Sequence, residues 1–142
     1  DCAELTGLLL PVFRKYSGAV HFMRDPTRGG VATTLCEIAE SARKGISIEE
    51  EHIPLSAKVK AATELLGMDP LYIANEGIAL MIVTRARAAQ ILKELKRHPL
   101  GRKAQIIGEI TNSKNAEVVL RTVSGAKRLV DMLESEPLPR IC

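Results

Sequence analysis

Tryptophan is absent from this chain, and only two phenylalanines and two tyrosines occur in its 142 residues. Surfaces that stack the bases of single-stranded nucleic acid are built from such rings, and here there are too few to make one. Charge of one sign is also lacking. Twenty lysines and arginines stand against 17 aspartates and glutamates, a net of +3, and the basic residues are spread along predicted helices as solvated faces. No nucleic-acid partner is expected. Long apolar runs are missing too: the longest, Ile78 to Val83, falls far short of the ~20 residues of a spanning helix. Neither a membrane span nor an export signal, basic and then apolar, is visible. A soluble protein in the cytoplasm is the expectation.

Paired cysteines are lacking as well. The three present, Cys2, Cys36 and Cys142, have no spacing that a disulfide framework would use, which fits a reducing compartment. His21, His52 and His98 are equally scattered, so no metal is expected to be bound by this domain alone. There is no internal repeat, and no linker long enough to divide the chain. The remainder is ordinary for a globular domain: 46% hydrophobic, 26% charged, and about one domain long. The sequence begins at Asp1-Cys2 without a methionine and runs at once into helical periodicity, as a domain taken from a longer protein would.

Leu5, Leu8, Leu9, Val12, Phe13 and Tyr16 recur at helical steps, with Pro11 expected to kink or break the helix. Ala19 to Met23 reads as a short strand. The loop Arg24 to Gly30 opens a second helix with Val31, Leu35, Ile38, Ala39 and Ala42 on its buried face, stopped by Gly45. Ile46 and Ile48 read as an edge strand. A third helix spans Ser56 to Leu66, capped by Ser56 and ended by Gly67. Ile78 to Val83 is the clearest strand, its continuous hydrophobicity implying cover on both faces. Thr84 is placed to cap a helix over Arg85 to Arg97, with Ala88, Ile91, Leu92 and Leu95 facing the core. Ala104 to Ile110 and Glu117 to Val123 flank an Asn112-Ser113-Lys114-Asn115 turn and read as a hairpin. A short helix is expected near Lys127 to Leu133. The fold class is therefore α+β, a mostly antiparallel sheet packed with helices over residues 1–133, followed by an extended tail over residues 134–142.

That tail, Glu134-Ser135-Glu136-Pro137-Leu138-Pro139-Arg140-Ile141-Cys142, has no helical pattern. Two prolines favour a polyproline-like arm, which at ~3.1 Å per residue spans about 25 Å. Such an arm can carry a thiol into another protein's site. Sulfur is a soft nucleophile and a good leaving group once acylated, the two properties of a covalent carrier. The competing reading is an ordinary frayed terminus.

Two loops can meet an anion or a proton. Arg28-Gly29-Gly30 lies at a predicted helix N-terminus, where free amides, close backbone approach and a guanidinium together suit a phosphate. The bland alternative is a turn capped by Asp25 or Thr27. Asn75-Glu76-Gly77 precedes the apolar strand, and a carboxylate held there serves as a general base when partly desolvated. Its alternative is a solvated turn. Cys36, Cys2 and the histidines read as structural.

Taken together, Asp25-Pro26-Thr27-Arg28-Gly29-Gly30, Asn75-Glu76-Gly77, Ile107-Gly108-Glu109-Ile110 and the terminal Pro139-Arg140-Ile141-Cys142 resemble the C-terminal domain of the HypE family of hydrogenase expression/formation proteins. The likeness covers essentially the whole chain. Its most specific part is the Pro-Arg-Ile-Cys terminus, which relatives such as aminoimidazole ribonucleotide synthetase, selenophosphate synthetase and thiamine monophosphate kinase do not share. The resemblance implies a fold like the C-terminal domain of aminoimidazole ribonucleotide synthetase. It implies that the carbamoyltransferase HypF loads a carbamoyl group onto the sulfur of Cys142. ATP-dependent dehydration then turns that thiocarboxamide into a thiocyanate, and the cyano group passes to iron on the HypC–HypD complex for NiFe hydrogenase. In this frame Glu76 matches the glutamate that helps remove the amide protons. Asp25, Thr27, Arg28, Gly29 and Gly30 lie near the ATP phosphates, with Asn75, Gly77 and Arg140 supporting. The ATP- and Mg2+-binding half, and the dimer formed through it, belong to an N-terminal domain that these residues do not include, so this segment alone is expected to be folded but inactive. Two other readings stay open on the residues themselves: a purine-synthesis or selenophosphate-type domain with an incidental cysteine, and a non-catalytic docking module.

Overall fold

The computed structural model describes residues 3–132. Cys2 and the tail, including Arg140 and Cys142, lie outside the described residues. Among the described residues, four α-helices and six strands follow in the order α1 (Thr6–Tyr16), β1 (Val20–Arg24), α2 (Gly30–Ala42), β2 (Gly45–Glu49), α3 (Ala57–Leu66), β3 (Leu80–Val83), α4 (Arg85–Leu95), β4 (Gly108–Thr111), β5 (Val118–Arg121) and β6 (Lys127–Val130). The chain forms two compact units. The first takes the residues up to Asp25 together with Asn75–Ile106, and the second takes Pro26–Ala74 together with the residues from Ile107 onward. The expected α+β class is what is found, since three of the four strand pairings are antiparallel.

In the first unit α1 and α4 pack together beside a two-stranded sheet of β1 and β3. The core is Val12, Ala19 and Ile91, with Tyr16, Met81, Val83 and Leu95 packed on it. Pro11 neither kinks α1 into two elements nor ends it: the helix runs through as one piece. Burial of Leu8 on one side of the proline and Val12 on the other anchors both halves, so tertiary packing outweighs the lost ladder bond. Two expectations need correction here. Thr84 does not cap α4 with its side chain; its hydroxyl instead donates to the Ala19 carbonyl at 3.4 Å and pairs with Nε2 of His21 at 3.1 Å. The apolar run before α4 is not covered on both faces either. Its strand has one partner strand, every residue of it is half-buried, and Ile78 lies outside it at 43% exposure.

The second unit holds a four-stranded sheet in the order β4-β2-β5-β6, with α2 against β2 and β5. Ile46 and Ile48 belong to an interior strand, not an edge. β4 pairs with β2 antiparallel, β5 pairs with it in parallel, and the two isoleucines are only 3% and 1% exposed. The expected hairpin is accordingly split: its two strands exist, but β2 lies between them. The link from β4 to β5 passes across the start of β2, where Gly45 donates to the Ser113 carbonyl at 3.0 Å and Ile46 to that of Glu117 at 2.9 Å. A Cβ on Gly45 would strike the side chains of Thr111 and Ser113, so this crossing needs glycine. Gly45 therefore opens a strand and does not stop α2. That helix ends at Arg43, which takes the left-handed conformation at φ 50°, while Lys44 donates to the Ala39 carbonyl at 3.1 Å.

α3 follows the sequence closely. Ser56 accepts from the Val59 amide at 3.2 Å, and Gly67 ends the helix at φ 64°. The short helix expected near Lys127 is instead the strand β6, paired antiparallel with β5. Gly125, at φ 84°, turns the chain, and Thr122 donates to the Ala126 carbonyl at 2.9 Å, which closes a hairpin before any helical turn can start. Among the described residues no helix is long and apolar enough to cross a membrane.

Candidate functional site

The glycine loop belongs to the second unit. Pro26 is fully buried, Thr27 half-buried and Arg28 exposed, and Gly29 and Gly30 then take φ values of 59° and 65°. Gly29 is the cap residue of α2, so neither Asp25 nor Thr27 fills that place. Close approach explains both glycines. A Cβ on Gly30 would collide with the carbonyl oxygens of Leu71 and Ile73, and one on Gly29 with the side chain of Thr33. The left-handed backbone and the collision each penalise a side chain, so Gly30→Ala is expected to lose about 2–4 kcal/mol of stability, read as a lowered urea midpoint. Gly67→Ala, with the same sign of φ but open space around it, is expected to lose about 1–2 kcal/mol.

Thr33, which no sequence pattern singled out, stands beside Gly29 with its hydroxyl buried and without a partner. Burying such a group costs about 1–3 kcal/mol when it is left unpaired. Arg28 on the surface, the glycine turn and the start of α2 leave backbone amides and a cation on one loop, which is the composition of an anion site.

Asn75, Glu76 and Gly77 form a bend in the first unit, with Gly77 at φ 78° and Glu76 exposed. β3 begins only at Leu80, so this bend and the strand are separated by Ile78 and Ala79. Asp25 is exposed and is the last residue of the first unit's opening segment. The structure thus brings Thr27, Arg28, Gly29 and Gly30 together in one unit, and places Asp25, Asn75, Glu76 and Gly77 in the other. Arg140 and Cys142 lie outside the described residues.

A second group of residues surrounds the strand that leads to the tail. Asp69 caps a short 3-10 turn, Pro70–Tyr72, accepting from the Leu71 amide at 2.9 Å with one oxygen and from Arg128 of β6 at 2.7 Å with the other. Tyr72 closes the same turn, and burial pushes its hydroxyl above the usual tyrosine range. Cys36 donates to the Val130 carbonyl at 3.1 Å. It is 7% exposed, and burial first, then the carboxylates of Asp131, Glu40 and Glu37, push its thiol up to about 11. That is an inert, packed cysteine, as its sequence context implied. Asp69-Pro70 is a turn signal that passed unread in the sequence; its ion pair with β6 leaves no local mark.

The histidines also serve the fold, His98 accepting from the Leu100 amide at 3.2 Å. Among the described residues no three His, Cys, Asp or Glu side chains converge to hold a metal ion.

Comparison with known proteins adds relatives to this geometry. The chain is 46% identical over all 142 of its residues to carbamoyl dehydratase HypE of Cupriavidus necator, covering 40% of that protein. It superposes on the crystal structure of HypE of Escherichia coli with a TM-score of 0.90 and 43% identity, over 100% of this chain and 43% of the other. HypE in a HypE–HypF complex gives a TM-score of 0.87 at 41% identity, over 94% of this chain and 43% of that one. HypE in complex with ATP gives 0.80 at 38%, over 92% and 39%. The chain therefore spans about two fifths of the length of the relatives it matches. Residues 7–121, running across both compact units, match the family described as AIR synthase related protein, C-terminal domain, and it is to this family that the chain belongs.

Proposed function

We propose that this chain is the C-terminal part of a carbamoyl dehydratase of the HypE type, in which Cys142 carries the group being transformed. The observation that supports this most is the likeness to HypE sequences, which runs through residue 142 and so includes the terminal cysteine arm. The reaction proceeds on the sulfur. HypF loads a carbamoyl group, giving a thiocarboxamide. ATP then phosphorylates its oxygen, ADP leaves, and loss of phosphate with both amide protons leaves S–C≡N. Thiocarboxamide and ATP thus become thiocyanate, ADP, phosphate and a proton. The thiol is the right atom for this, because a sulfur-bound cyano group can be passed on to iron held by a HypC–HypD complex. A reducing cytoplasm keeps such a thiol unpaired.

In this reading the amides and guanidinium of the Arg28–Gly30 loop, with Asp25 and Thr27 near it, face ATP phosphates. Glu76 takes protons from the amide nitrogen once bound reactant shields it from water, with Asn75 and Gly77 shaping its bend and Arg140 steadying the tail. Solved relatives are described as complexes with ATP and with HypF, which agrees with that substrate and that partner. Mg2+ and dimer contacts would then come from the N-terminal portion of a full-length protein.

The test is the mass of the C-terminal peptide of the full-length protein, incubated with HypF and carbamoyl phosphate and then with ATP. A carbamoyl-sized gain on Cys142, followed by loss of one water, is expected. An unmodified Cys142 beside an active HypF control would leave a kinase or synthetase of the wider superfamily as the better reading.

A further inference from the structure

Two attachments hold β6: Arg128 is paired with Asp69, and the Val130 carbonyl accepts from Cys36. Among the described residues β6 is the last strand, and only residues 131–133 stand between it and the tail. Asp69 and Tyr72 belong to the 3-10 turn and its cap, and that turn's carbonyls are what Gly30 of the glycine loop abuts. All of these residues lie in the second unit. Contacts within one unit therefore link the loop read above as a phosphate site to β6, the strand that precedes the tail in the sequence.

We infer that the Asp69–Arg128 ion pair is a positioning device: it fixes the root of the tail relative to the glycine loop, and so governs ATP-dependent dehydration without governing carbamoylation. This rests on the functional reading above. The arm expected over residues 134–142 follows β6 after only three residues, so where β6 is held bears on how often the thiol of that arm meets the loop. Loading by HypF instead needs the arm to enter a separate protein, and that encounter does not depend on where this unit's glycine loop sits. The pair is suited to such a role because each partner is also held elsewhere. Asp69 caps the turn through its other oxygen, and Arg128 stands in a strand paired with β5. With Asp69 30% and Arg128 44% exposed, the bond is accessible enough to screening that its loss would be moderate in size and would leave the fold intact.

The experiment uses the full-length protein and reads both steps by mass spectrometry of the C-terminal peptide. Asp69→Asn keeps the oxygen that caps Leu71 and removes the charge facing Arg128; Arg128→Gln removes the other charge. Each is expected to slow dehydration of the loaded tail about fivefold, with the loading rate by HypF unchanged within about twofold. The double variant is expected to be no slower than either single one, and Arg128→Lys to recover most of the rate. Dehydration at the wild-type rate in both single variants would overturn the inference. So would an equal fall in both steps together with a lower Tm, which is what a merely structural pair would give. A wild-type protein that takes up no carbamoyl group would overturn the functional reading, and the inference with it; a wild type that loads and dehydrates beside matching variants would overturn the inference alone.

Discussion

Replacing Cys142 by serine in the full-length protein is expected to abolish formation of the cyano group, lowering the rate by on the order of a thousandfold or more. The substitution changes one atom, and that atom does two things. As a nucleophile, sulfur is soft and intrinsically far more reactive toward a carbamoyl carbon than a serine hydroxyl without an adjacent base. As a leaving group, sulfur releases the cyano carbon to a metal, while an alkoxide holds it. Loss at either stage is sufficient, so the C-terminal peptide should keep its unmodified mass through both incubations. A serine variant that still supports hydrogenase maturation would favour a docking role for the tail. One that keeps ATP-dependent turnover of some other substrate would favour a superfamily synthetase.

The second large effect is expected at Glu76. Glu76→Gln preserves size and the hydrogen-bonding carbonyl but removes the proposed base, so dehydration should slow by roughly a hundredfold to ten-thousandfold. Loading should persist, because in the proposed sequence the carbamoyl group arrives on sulfur before any amide proton is removed. The diagnostic is accumulation: the thiocarboxamide mass should build up in the presence of ATP, where the wild type passes through it. Equal dehydration by the variant and the wild type would remove Glu76 from the reaction and return it to its plain alternative, a solvated residue in a bend.

How much could be read beforehand varies with the physics of each element. α3 was legible to its ends because its signals are local: Ser56 accepts from an amide three residues on, and Gly67 supplies the left-handed residue. The position of β2 was not legible, since an edge and an interior strand of five residues look alike until the partners are known. Those partners are separated from it by two helices and another strand. β6 was mistaken for helix because Lys127 to Val130 shows no alternation, three of its four residues being exposed. The hydrophobicity of Ile78 to Val83 promised more cover than one antiparallel partner provides. In the glycine loop, the need for Gly29 and Gly30 was legible as a helix start. Its cause at Gly30, the carbonyls of Leu71 and Ile73, is a long-range contact. The same holds for Asp69 with Arg128: two opposite charges so far apart in sequence carry no local mark of their meeting.

The interleaving of strands also sets an order of synthesis. β2 emerges from the ribosome early, but both strands that flank it are translated only after α3, β3 and α4. Until then Ile46 and Ile48 lack the lateral hydrogen bonds and side-chain neighbours that bury them. Pairings between such distant segments close slowly and leave the nascent chain open to chaperones and proteases. The second unit therefore matures last, when β5 and β6 slot in beside β2. A polypeptide cut short before β5 cannot complete that sheet and is a target for degradation. Such a chain would also lack β6, the strand that leads to the cysteine arm.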